Sequence, residues 1–114
     1  MNEKIELGER GFILLNCDGD FNNYVAFFDG FIGVTCEYLT SSEINFIIKC
    51  IKGKRNDQTF ILNNNDVIFY TENTGLCIIN NDRVCRLWLL NKEKEKTIKI
   101  LKKFKKAVEK NERR

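Results

Sequence analysis

Residues 24–43 read YVAFFDGFIGVTCEYLTSSE. Two runs rich in aromatic and β-branched residues, 24–28 and 31–39, flank Asp29-Gly30, a pair suited to the φ > 0 positions of a tight hairpin turn. Thr40-Ser41-Ser42-Glu43 then has the form of a capping box: a hydroxyl accepts from an amide of the first helical turn while Glu43 reaches back to the amide of the cap. The stretch therefore predicts two paired strands running straight into a helix.

Working outward, Ile44, Ile47, Ile48 and Ile51 fall at the i, i+3, i+4, i+7 spacing of one helical face, which predicts a core face, and Gly53 is placed to end the helix. Upstream, residues 4–7 and 12–17 read as short strands joined around residues 8–11, with a loop at Asp18-Gly19-Asp20. Downstream of a polar linker, 54–57, four more strands are predicted at 60–62, 67–71, 76–79 and 84–90. Asparagine-rich turns at 63–66, 73–75 and 80–82 punctuate them. With no proline and only 7 glycines, the turns must lean on asparagine and aspartate, which tolerate left-handed backbone. From Asn91 the alternation stops, and Thr97, Ile100, Leu101, Phe104, Ala107 and Val108 mark the stripe of a second helix whose last residues, 111–114, are expected to fray. The predicted fold class is α+β: antiparallel sheet built from short strands, with two helices, in a quasi-repeat ββββα-ββββα. A chain of 114 residues supports one domain, with half-repeats 1–55 and 56–114.

Two successive units of four strands and a helix resemble the Whirly, Pur-alpha and PC4-like single-stranded nucleic-acid-binding proteins. The resemblance is one of element order over most of the chain, and it carries over no individual residue. It implies curved sheets that contact nucleic acid and helices that support dimerisation.

Charge is distributed unevenly. Residues 1–91 hold 8 basic and 12 acidic side chains, whereas residues 92–114 hold 11 basic and 4 acidic, so a mildly acidic body carries a basic final helix. Lys96, Lys99, Lys102, Lys103, Lys106 and Lys110 lie largely off the apolar stripe and would form a cationic surface for phosphates or an acidic protein; a membrane surface is a third reading. The same lysines also serve simply to keep a helix solvated, and the abundance of Asn, Lys and Ile fits an AT-rich coding sequence. In the body, Arg83, Arg86 and the basic residues of 49–55 are the only cations placed to join such a surface. Phe27, Phe31, Tyr38, Phe69, Tyr70 and Trp88 would stack bases if exposed and fill the core if not.

Other chemistries find little footing. No histidine is present to act as a base near neutral pH, and the glycines are too dispersed to cradle a phosphate, so neither an enzyme nor a cofactor is expected. Cys17, Cys36, Cys50, Cys77 and Cys85 are odd in number and lack a Cys-x-x-Cys pair, which reads as buried thiols in a reducing compartment. Asp18, Asp20, Asn22 and Asp29 echo the oxygen spacing of a calcium loop, but Asn23 stands where the turn glycine belongs, so a plain acidic turn is expected. The N-terminus lacks the apolar run of a signal peptide, and no stretch is long enough to span a bilayer. These features predict a cytoplasmic, non-enzymatic binding or regulatory protein that contacts nucleic acid through its basic helix. The alternative is a protein-interaction module, such as an inhibitor or immunity protein of a phage or mobile element acting in the host cell. Open sheet edges and an apolar helix face leave room for a homodimer.

Overall fold

A computed structural model describes residues 1–8, 11–18, 23–53, 60–62, 67–72 and 75–113, with side chains for the same residues other than 60–62 and 70–72. The predicted linker, the turns at 63–66 and 73–74, and Asp20 and Asn22 of the acidic loop lie outside them. The order of elements is β1 (Asn2–Leu7), β2 (Gly11–Cys17), β3 (Asn23–Phe28), β4 (Gly33–Glu37), α1 (Ser41–Lys52), then β5 (Phe60–Leu62), β6 (Val67–Glu72), β7 (Gly75–Asn80), β8 (Arg83–Trp88) and α2 (Asn91–Glu112). Each set of four strands is an antiparallel sheet in sequential order, so the predicted α+β class and the repeated element order both hold.

Strand residues alternate between a buried and a more exposed face, as period-2 patterning requires. Ile5, Ile13, Leu15, Val25, Phe27, Val34 and Cys36 of the first sheet and Val67, Phe69, Leu76, Ile78, Cys85 and Leu87 of the second point into one shared core. Phe27 meets Phe69 edge-on at 5.4 Å, joining the two sheets through rings that are both fully buried. Each such side chain contributes about 1.5–3 kcal/mol by leaving water. Gly11 is needed where it stands: a Cβ there would come 2.8 Å from the carbonyl oxygen of Phe28.

The helices cross between the halves. The principal sheet contact of α1 is with β6, and that of α2 is with β1 and β2, while the two helices also pack on each other. Each half therefore supplies the lid for the other's sheet. The helix faces follow the sequence pattern, with Ile44, Ile47, Ile48 and Ile51 buried on α1 and Thr97, Leu101, Phe104 and Val108 buried on α2. The capping box closes as expected: Thr40 Oγ1 accepts from the Glu43 amide at 3.2 Å, and Glu43 Oε1 accepts from the Thr40 amide at 3.0 Å. Gly53 ends α1 at φ 72°, a left-handed conformation that favours glycine.

Three local expectations need correction. The turn at Asp29-Gly30 is wider than two residues, because Phe28 pairs with Gly33; Asp29 Oδ1 accepts from the amides of Phe31 and Ile32, both at 2.8 Å, which folds those residues into the loop. The strand that follows ends at Glu37 instead of Leu39, since Tyr38 adopts φ 54°. The two-residue hairpin is found at Asn81-Asp82, with Asn80 opposite Arg83 and Asn81 at φ 55°. Finally, the C-terminal residues do not simply fray: α2 runs to Glu112, and buried Asn111 donates to the Asp18 carbonyl at 2.8 Å. The Glu112 carboxylate accepts from the Ser41 amide at 3.2 Å, placing an anion at the start of α1.

Candidate cationic interface

Because α1 and α2 pack side by side, charges from both line the groove between them. Lys49 and Lys52, one turn apart on α1, face Lys102, Lys105 and Lys106 of α2 across a groove of about 340 Å³ that also includes Asn45, Ile48 and Glu109. Among the described residues, five ammonium groups thus share the groove with one carboxylate. Glu109 lies 3.9 Å from Lys105, an i, i+4 pair that neutralises part of one cation. Lys49 also lies 5.8 Å from the centre of the Phe46 ring. An anion bound in the groove would relieve the mutual repulsion of Lys49, Lys102 and Lys106.

Of the lysines expected from sequence, Lys102 and Lys106 are in this groove. Lys96, Lys99, Lys103 and Lys110 are exposed on the adjoining face of α2, extending the cationic band over roughly half of the helix circumference. Lys105 and Asn45 carry no distinguishing mark in the sequence, and Lys49 and Lys52 stand out there only as part of a basic run. Their i, i+3 and i, i+4 spacing is the available signal, but it becomes a site only when the two helices are known to be neighbours.

Arg83 and Arg86 belong elsewhere. On β8, Cys85 and Leu87 point into the core, so Arg86 and Trp88 point out of the opposite face of the sheet. Arg83 Nη1 donates to the Gly33 carbonyl at 3.4 Å, and the Arg86 amide donates to Asp29 Oδ2 at 3.2 Å, docking the loop between β3 and β4 against β8. An open cleft of about 590 Å³ results, lined by Leu7, Gly11, Asp29, Phe31, Arg86, Leu87 and Trp88. Phe31 and Trp88 are 76% and 66% exposed. Of the other aromatics considered as stacking groups, Tyr38 is exposed, while Phe27 and Phe69 are buried in the core. The lysine groove and the aromatic cleft are therefore separate surfaces.

Titrating groups beside the cleft and in the core are shifted from their ordinary values. Burial works to raise the Asp29 carboxyl, but backbone amides of Ile32, Phe31 and Arg86 outweigh it and hold the carboxyl below its ordinary value. Burial pushes the Cys85 thiol up to about 12, with the charge of Asp29 adding to the effect. Cys36 is likewise raised to about 12 by burial and then by Glu43. Such thiols stay protonated and make poor nucleophiles near neutral pH. Among the described residues no cluster of three or more Cys, Asp or Glu is arranged to hold a metal ion, and no helix is long and apolar enough to cross a membrane.

Comparison with family models, with curated proteins and with solved structures finds no match to this chain.

Proposed function

We propose that this protein is a non-enzymatic binding protein that engages the phosphate backbone of a nucleic acid along the lysine groove of α1 and α2. The observation that carries the reading is the convergence of Lys49, Lys52, Lys102, Lys105 and Lys106 from two helices on one groove that holds a single carboxylate among the described residues. Ammonium groups in that arrangement replace the counterions condensed on a nucleic acid, and release of those ions drives binding. The lack of histidine and the protonated state of Cys36 and Cys85 favour binding over catalysis. The resemblance in element order to single-stranded nucleic-acid-binding proteins, read from the sequence, points to the same class.

Anisotropy titrations with short single- and double-stranded DNA and RNA over a range of salt test this reading. Binding at low salt is expected, with a log–log salt slope of about −3 to −5 if most of the groove lysines contact phosphates. Absence of binding to all four at low salt ends it.

A protein-interaction module is the second reading, and it rests on the other surface. Phe31 and Trp88 stand exposed beside Arg86, residue types that anchor protein interfaces. Such a module would bind its partner through the β8 cleft and leave the lysine groove unoccupied.

A further inference from the structure

The outer edge of β1 offers a self-complementary strand. Met1 and Cys17 exchange backbone hydrogen bonds at 2.9 Å in both directions. Alternation along the antiparallel register then turns the amide and carbonyl groups of Glu3, Ile5 and Leu7 toward β2, and those of Asn2, Lys4 and Glu6 away from it. Among the described residues nothing pairs with that outward row at Asn2, Lys4 and Glu6, because β1 is the last strand of its sheet. An open row of this kind is a template for another strand.

The side chains decide which strand fits. Lys4 and Glu6 are exposed on the outer face, with Nζ and Oε1 3.1 Å apart, while Ile5 and Leu7 enter the core on the other face. Consider two copies of β1 laid antiparallel about a twofold axis. Centring the pair on Lys4 sets two lysines opposite each other, and centring it on Glu6 opposes two glutamates. Centring it on Ile5 sets each Lys4 opposite Glu6 of the second copy, and both residues present outward backbone groups, so the same two pairs exchange hydrogen bonds and oppose unlike charges. A shift by one residue would set outward-facing groups against groups already bonded to β2. Charges on an edge strand usually block pairing, but here they block the wrong registers and favour one.

We propose that two copies of this chain pair edge to edge through β1, centred on Ile5, forming a symmetric dimer in which the two first sheets become continuous. The contact leaves the lysine groove untouched and meets the β8 cleft only at Leu7, the last residue of β1.

Sedimentation equilibrium of the full chain up to about 1 mM tests it, at a scale suited to a small interface. The expected result is a reversible monomer–dimer equilibrium. Lys4→Glu and Glu6→Lys, each checked for an unchanged near-ultraviolet circular dichroism spectrum, should weaken self-association at least about tenfold by opposing like charges. The double variant should restore it, and an equimolar mixture of the two single variants should dimerise although neither does so alone. Protection of the Lys4 and Glu6 amides from hydrogen exchange should rise with protein concentration. A wild-type chain that stays monomeric throughout, a dimer indifferent to both reversals, or a mixture that fails to recover association would each overturn the proposal.

Discussion

Glu93 ties the first hairpin to the last helix: one carboxylate oxygen accepts from the Gly8 amide at 2.7 Å and the other from the Leu90 amide at 2.9 Å. In α1 the equivalent third-position glutamate, Glu43, serves a cap whose own side chain, Thr40, completes the exchange. Leu90 has no such acceptor, so the start of α2 depends more heavily on Glu93. Glu93→Ala is expected to cost about 1–2 kcal/mol, read as a lower urea midpoint with an unchanged m-value. Glu93→Gln, which leaves one acceptor oxygen, should lie between that variant and the wild type.

Asn23 locks the irregular exit from the first sheet. Its side chain donates to the Leu39 carbonyl at 3.0 Å and accepts from the Leu39 amide at 2.7 Å, while its backbone carbonyl accepts from the Tyr38 amide at 2.9 Å. Asn23→Ala would leave both backbone groups of buried Leu39 without their partner, an expected loss of about 2–4 kcal/mol in chemical denaturation. Asn23→Asp keeps an acceptor but loses the donor, and places a charge at a buried position; it should be no better than the alanine variant at neutral pH.

These two residues mark where sequence reasoning runs out. The capping box, the isoleucine face of α1 and the Asn81-Asp82 turn were legible because every group involved lies within a few positions of its partner. The left-handed Tyr38 depends on Asn23 across the β3–β4 pair, and the buried state of Asn111 depends on the Asp18 carbonyl, 93 positions away. The lysines of α2 were visible as an exposed stripe, but their convergence with Lys49 and Lys52 follows from the packing of α1 on α2. Arg86 looked like part of the same cationic surface; β8 alternation puts it on the side opposite Cys85 and Leu87, and the helices cover only the inner faces.

Cys36 and Cys85 should make the fold sensitive to alkali. Both thiols ionise near 12 in the folded chain against an ordinary value of 9.0, so above that lower value the unfolded chain binds fewer protons than the native one. Their contribution is therefore complete below about pH 9 and is lost as pH rises toward about 12, at up to about 1.4 kcal/mol per pH unit for each thiol. Stability of Cys36→Ala and Cys85→Ala, measured by urea denaturation from pH 8 to pH 11, should fall less steeply with pH than that of the wild type, even where their absolute stability is lower.

Lysine replacements separate the groove from the rest of the basic band. Lys102→Gln with Lys106→Gln should weaken oligonucleotide binding and reduce the magnitude of the salt slope by about 2, since each lost phosphate contact removes about 0.9 on duplex. Lys96→Gln with Lys103→Gln changes the same net charge outside the groove lining and should act more weakly. Equal effects from the two pairs would mean that the helix attracts anions through its overall field and that the groove itself is not the binding surface.

Trp88 is the chain's single tryptophan, which makes it a reporter for the choice between the two surfaces. Its indole is largely exposed on the β8 cleft and lies over Gly75, so closely that a Cβ on that glycine would stand 3.2 Å from Cζ3 of the ring. A ligand held by the α1–α2 groove contacts the opposite side of the core, and its saturation should leave the emission maximum unchanged. A ligand or protein partner seated in the β8 cleft should exclude water from the ring, shifting emission to the blue or quenching it by stacking. Gly75→Ala provides the control: it should displace the ring, change the free protein's emission and weaken cleft binding, while leaving groove binding and its salt slope as they were. If oligonucleotide titrations instead alter Trp88 emission in step with anisotropy, and Gly75→Ala weakens that binding, then nucleic acid occupies the cleft and the groove assignment fails.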